Sequence, residues 1–415
     1  MSVKLAEDTK LNRLLRWQAG ETPGPWEILV YPTNRCNLRC KICWQRWVEA
    51  ERGKVDCETE MPDERLLRLV DEGAELGIRE WGIVGGGEPM IRGDLVMAMC
   101  ERICQRGMVG GIYTNGTLFT EKQFEHLVRI GWDRVTVSLD GPTAEINDDI
   151  RSEGSFERAT RNLRLLADLR RRHNATKPVS TINAVTTARN FDKLDKMVEL
   201  AHELECVGAG SIELLVQGDL CAGFALRPDQ QAELPKHVER AIQTAQRLGV
   251  AHNFADLLSA SSIRPSQEAH PKKWGLVGDA RFTDSLCFEA WLTMTVIAEN
   301  GRVGPCCGAW DAEMQTVQDK SLKEIWVGPY FQKVRAQLMT RTGAPDYCRL
   351  CSTHLIMRSE DLRRALLAYQ QTKWETMDLK HSLAFAAQRV YKNLRERGLR
   401  ETLRRAKEWR RIHRS

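Results

Sequence analysis

At 415 residues and 42% hydrophobic composition, the chain can bury one large core with a satellite or two modest cores, which excludes disorder as its default state. No run approaches the roughly eighteen apolar residues of a membrane span, and the N-terminal MSVKLAEDTKLNRLL has no apolar core before a cleavage site, so a cytoplasmic protein is expected. The net charge of +5 belongs to the tail: residues 389–414 hold eleven Lys and Arg against three Glu, a balance of +8 that leaves the remaining chain at −3.

From Trp26 onward, strand-like runs alternate with helical patterns. EILVYPT precedes DERLLRLVDEGAEL, EWGIVGG precedes DLVMAMCERICQRG, and GGIYTNG precedes EKQFEHLVRIG. RVTVSLDG, PVSTINAVTT and SIELLVQGD continue the series, each followed by a helical stretch. Six strand-helix units predict an α/β fold, a partial (β/α)6 TIM-like barrel over residues 26–250 behind a 1–25 extension. After about residue 250 the alternation stops. SLCFEAWLTMTVIAENGRVGPCCGAW reads as a β-hairpin turning at ENG and flanked by cysteines, a second module placed at 251–356. A charged helical tail follows over 357–415.

Thirteen cysteines in a chain read as cytosolic point to metal rather than disulfides. Cys57, Cys100, Cys104, Cys206 and Cys221 read as small buried hydrophobes. Cys36, Cys40 and Cys43 have the spacing C-x3-C-x2-C, and no fourth Cys or His follows at zinc spacing. Three thiolates from one loop suit a 4Fe-4S cluster with one open iron. The other distinctive motifs also follow predicted strands: GGGEP, TNGT and SLDG would share the C-terminal rim of the barrel, where chemistry collects in such folds.

The cysteine loop resembles the signature of the radical S-adenosylmethionine (SAM) superfamily, with Ile42 at a position often aromatic and Trp44 after the third cysteine. The resemblance implies that the open iron chelates SAM, whose reductive cleavage gives a 5′-deoxyadenosyl radical that removes a substrate hydrogen. It further implies that Ile42 and Trp44 flank the cofactor, and that Gly86, Gly87 and Glu88 of GGEP meet the SAM amino group. Ser138 and Asp140 of SLDG would approach the ribose, and Arg151 the carboxylate.

Cys287, Cys306, Cys307, Cys348 and Cys351 form C-x13-G-x4-C-C followed by C-x2-C. This resembles the shortened SPASM extension called a Twitch domain, which would bind one auxiliary 4Fe-4S cluster through Cys287, Cys306, Cys348 and Cys351. Cys307 remains an alternative to Cys306, and a zinc ribbon an alternative to the cluster.

A fully ligated second cluster suits electron transfer and hence oxidation, so the expected activity is a radical SAM oxidoreductase acting on a small molecule, sugar or lipid-linked glycan. The alternatives are a maturase of a ribosomal peptide, or an epimerase using Cys206 or Cys221 as hydrogen donor. With only 25 residues before Trp26, a leader-binding domain is not expected, which favours the small molecule. The resemblance implies a flavodoxin- or ferredoxin-type electron donor. The basic amphipathic tail at 389–414 suits either an anionic membrane surface or packing on the barrel, while nucleic acid is disfavoured.

Overall fold

The computed structural model describes residues 8–216, 218–258, 282–297, 300–339 and 344–374. The six expected strands are present as β1 (Glu27–Val30), β2 (Glu80–Ile83), β3 (Val109–Thr114), β4 (Arg134–Ser138), β5 (Val179–Thr186) and β6 (Gly208–Glu213). Each pairs in parallel with the next. Helix α1 (Lys10–Gln18) precedes β1. The connections carry α2 (Trp44–Arg52), α3 (Asp63–Glu75), α4 (Gly93–Gln105), α5 (Glu121–Arg129), α6 (Ala144–Ile150), α7 (Ser155–Arg172) and α8 (Leu194–Glu203). After β6 come α9 (Gly218–Ala222) and α10 (Pro228–Leu248).

Local chemistry accounts for these elements. In α3, Leu66, Leu69, Val70 and Gly73 recur at helical spacing and are buried against the sheet. A capping box between Thr120 and Gln123 starts α5. In β5 the buried residues Ser180, Ile182, Ala184 and Thr186 alternate with less buried ones, as the strand period requires.

Three strands extend the expected barrel. A short β7 (Ala251–His252) adds to β6 in parallel, where the alternation was expected to have stopped. The predicted hairpin is β8 (Thr293–Val296) paired antiparallel with β9 (Val303–Gly304), and Asn300 and Gly301 occupy left-handed conformations at its turn. This hairpin joins the barrel sheet: β8 lies parallel to β1, with Glu27 opposite Thr293 and Val30 opposite Val296. All four β8 residues are buried, so the strand has no face to offer solvent, and the free edge of β1 supplies its ladder. Among the described residues the sheet order is β7-β6-β5-β4-β3-β2-β1-β8-β9, open rather than closed.

Both ends of the described chain pack onto this sheet. Trp17 of α1 meets Trp326 of α12 edge-on at 6.1 Å, where α11 spans Glu289–Leu292 and α12 Leu322–Trp326. The guanidinium of Arg335 in α13 (Pro329–Met339) lies 4.5 Å from the Trp17 ring and 4.3 Å from the Trp326 ring. Helix α14 (Thr353–Trp374), whose greater part was assigned to the tail, is docked through Arg358, which pairs with Glu27 at 2.9 Å and Glu289 at 3.2 Å. The basic stretch 389–414 lies outside the described residues. Among the described residues, no helix is long and apolar enough to cross a membrane.

Candidate functional site

The loops after β1, β2, β3 and β4 meet at the C-terminal ends of the strands, and buried polar side chains bind them into one unit. Gln45, in the first turn of α2, donates from Nε2 to Asn34 O at 2.7 Å and to Gly86 O at 2.9 Å. The β2 loop returns the contact: Gly87 N donates to Thr33 O at 3.0 Å and Glu88 N to Arg35 O at 2.8 Å. A Cβ on Gly86 would lie 2.0 Å from Asn34 Oδ1, and one on Gly87 would lie 2.0 Å from Arg35 O. What approaches these glycines closely is therefore the backbone and side chain of the cysteine loop itself.

Glu88 is 2% exposed, and its carboxylate accepts from Met90 N at 3.0 Å, Thr114 Oγ1 at 2.7 Å and Asn115 N at 2.7 Å. Burial raises its pKa although all three donors oppose the shift. In this structure its partners are protein groups that join the β2 loop to the β3 loop. Asn115 and Thr117 of TNGT in turn bond Asn37 of the cysteine loop, each at 2.9 Å.

Asp140 has no exposed surface. Its Oδ1 accepts from Val185 N at 2.7 Å, and its Oδ2 lies 2.7 Å from Arg151 Nε. Burial opposes the charge of Arg151, and Asp140 with the thiols of Cys40 and Cys43 more than offsets it, so its pKa is raised. Asp140 and Arg151, expected to contact different ends of SAM, thus form a pair. Ser138 closes β4, half-buried, and Ile42 packs against the buried cluster of Ile150, Leu214 and Phe224.

Cys36, Cys40 and Cys43 stand together in the loop between β1 and α2. Burial raises all three thiols, Cys43 to about 11, and each is further raised by the charge of another cysteine or of Asp140. The second set converges likewise. Burial holds Cys348 and Cys351 at about 12 and Cys287 and Cys306 well above the ordinary thiol value. After burial, Cys306 is raised by Cys307, Cys287 and Cys351, and Cys351 by Cys348 and Cys307, so Cys307, exposed at the surface and raised also by Glu289, stands beside the same set. Cys206 and Cys221 are both buried.

Buried thiols with raised pKa values are protonated at neutral pH, and they become thiolates when a metal cation compensates the charge. Among the described residues, no group of three or more His, Cys, Asp or Glu is spaced for a single metal ion. Sets of three and four thiols that share one buried environment are the donor type of iron-sulfur clusters, so the residues present fit them.

The two sets are neighbours. Trp44, immediately after Cys43, packs against Trp310, three residues past Cys307, with centroids 5.5 Å apart. Tyr31 at the end of β1 is raised by burial and then by Cys307 and Cys306. Sequence reasoning missed Gln45, whose residue type is ordinary in a helix, and the Trp44–Trp310 contact, which spans 266 positions and leaves no local signal. A separate cavity of about 540 Å³, lined by Asp8, Arg13, Glu72 and Lys323 among others, lies at the opposite, N-terminal ends of the strands.

An open parallel sheet with this cysteine rim is the architecture of a radical SAM enzyme, and the chain matches the Radical SAM superfamily over residues 30–201 and the SPASM iron-sulfur cluster-binding domain over residues 287–352. These two domains imply SAM and two iron-sulfur clusters as cofactors. The chain is 29% identical over 334 residues to a PqqA peptide cyclase from Granulibacter bethesdensis, covering 79% of each protein. It is 26% identical over 349 residues to an AdoMet-dependent heme synthase from Methanosarcina barkeri, covering 79% of this chain and 89% of that one. Among solved structures, SuiB of Streptococcus suis bound to S-adenosylmethionine shares the fold, with a TM-score of 0.59 and 16% identity over 76% of this chain and 68% of SuiB.

Proposed function

We propose that this protein is a radical SAM enzyme that modifies a peptide, with Cys36, Cys40 and Cys43 holding the SAM-binding cluster. Cys287, Cys306, Cys348 and Cys351 would hold an auxiliary cluster, each of the 4Fe-4S type. The observation that carries the peptide reading is the likeness to PqqA peptide cyclases across 79% of both chains. It reverses the preference for a small molecule or glycan drawn from the short N-terminal extension, because a leader peptide can equally be presented by a separate protein.

When bound, SAM and its cluster supply the radical that removes a hydrogen atom from the substrate. The chain's own residues build the cradle. Gln45 and Glu88 lock three loops in register, so that the cofactor would meet a preorganised rim. Asp140 holds the Arg151 fork in place, from which it can also face the SAM carboxylate. The Trp44–Trp310 contact sets the two cysteine sets side by side, which suits passing an electron from the substrate radical to the auxiliary cluster.

The test is anaerobic reaction of the reconstituted enzyme, SAM and reductant with short peptides encoded beside its gene, read by mass spectrometry. A crosslink formed by oxidation removes two hydrogens from the peptide. SAM cleavage that leaves every such peptide unchanged would count against the peptide reading. It would favour the second one, oxidation of a small molecule, which the likeness to a heme synthase supports. Association of the 389–414 tail with an anionic membrane is a finer proposal, tested by salt-sensitive binding to anionic vesicles.

A further inference from the structure

We infer that the phenol hydroxyls of Tyr330 and Tyr347 are hydrogen-bond donors to the auxiliary cluster and help set its reduction potential. The inference rests on the reading that Cys287, Cys306, Cys348 and Cys351 hold a 4Fe-4S cluster, and it is independent of the choice of substrate.

Two elements bring the hydroxyls to the second cysteine set. Tyr330 lies on the buried face of α13 with Phe331, Val334, Arg335 and Leu338. That face is fastened to the segment around Cys287, where Leu286 N donates to Leu338 O at 2.8 Å and Arg335 Nε donates to Ala290 O at 2.9 Å. Tyr347 immediately precedes Cys348 in a 3-10 turn over Asp346–Leu350, and Cys351 N donates back to Cys348 O at 3.3 Å. One tyrosine thus sits on the helix packed against the segment of the first ligand, and the other in the turn that carries the last two. Burial is the main cause that raises both phenols. After it the two act on each other, Cys306 and Cys348 act on both, and Asp311 acts on Tyr330.

Tyr330 is 3% exposed, and both phenol oxygens are shielded from solvent. Neither oxygen has a hydrogen-bond partner among the described residues. A buried hydroxyl without a partner is costly, and Phe would fill nearly the same space without that cost, so two such groups beside one set of thiols call for an acceptor. The sulfurs of a 4Fe-4S cluster are acceptors of that kind, and hydrogen bonds to them are among the features that set its potential. When the cluster takes up one electron, the added negative charge is shared by its sulfurs, so an O–H donor favours the reduced form and raises the potential. The phenols keep their protons throughout, and no bond forms or breaks. A cluster tuned upward in this way is the better acceptor for an electron left on a substrate radical.

The test uses the full chain loaded with both clusters and follows each by electron paramagnetic resonance during a potentiometric titration. SAM marks the first cluster, because only its open iron binds SAM and only its signal moves. In the Tyr330→Phe/Tyr347→Phe double variant, the midpoint potential of the second cluster should fall by about 59 mV, a tenfold rise in its oxidised-to-reduced ratio at a fixed potential, while that of the first stays in place. In deuterium oxide, the reduced second cluster should show exchangeable deuteron couplings that the variant lacks. An unchanged midpoint with iron retained overturns the inference, as do an equal shift in both clusters and deuteron couplings identical in the two proteins. A second cysteine set that holds no cluster in the unmodified protein overturns the cluster reading and the inference with it. Should the double variant fail to retain iron, Tyr330→Phe and Tyr347→Phe singly carry the same comparison, each with a smaller fall.

Discussion

Gln45 and Glu88 divide the work of the cradle at the level of single side chains. Replacing Gln45 by Ala leaves the carbonyls of Asn34 and Gly86 without their donor, and a buried unsatisfied group costs about 1–3 kcal/mol. The expected outcome is weaker SAM binding with iron content retained, measured by calorimetry and iron assay. Glu88→Gln replaces an acceptor that serves three donors with an amide whose NH2 faces some of them. It should lower stability by about 1.5–3 kcal/mol in denaturant titration. The cysteines add a pH dependence. The folded Cys43 thiol sits at about 11 against an ordinary 9.0, so its contribution is complete below pH 9 and is lost as the pH rises towards 11. Iron-free protein should therefore melt at progressively lower temperature between pH 9 and 11. A flat profile would mean that the thiol is solvated rather than buried.

Between elements, the decisive contact is β8 on β1, with α14 clamped across it. Arg358 neutralises Glu27 at the start of β1 and Glu289 in α11, and Thr293 donates to Glu289 at 2.7 Å. Removing the guanidinium in Arg358→Met leaves two carboxylates at the strand junction without their half-buried countercharge, a loss of about 1.5–3 kcal/mol. Differential scanning calorimetry should show that loss as a lower melting temperature, and proteolysis should release α14 early. Sequence patterns anticipated six strands and the hairpin because each carries its own period and turn residues, such as Asn300 and Gly301. They could not show that TMTV pairs with EILV, since the partner of a wholly buried strand is chosen by which edge is free.

For the molecule as a whole, the segments that carry the two cysteine sets flank one continuous sheet, because β8 of the second set pairs with β1 of the first. Reconstituted protein should hold about eight irons, two clusters of four, and the Cys36, Cys40 and Cys43 triple Ala variant about four, without SAM cleavage. A value near four irons with one zinc in the unmodified protein would restore the ribbon alternative for the second set.

The order of strand and helix, the two cysteine sets and the succession of rim motifs were legible in the sequence alone, because they depend on spacing within one loop or one period. Only the tertiary structure decided that Glu88 serves the β3 loop, that Asp140 holds Arg151, and that Trp44 meets Trp310. Those contacts join residues from 11 to 266 positions apart, where no local propensity acts and the partner is set by how the sheet curls and which groups burial leaves in need of a hydrogen bond or a countercharge.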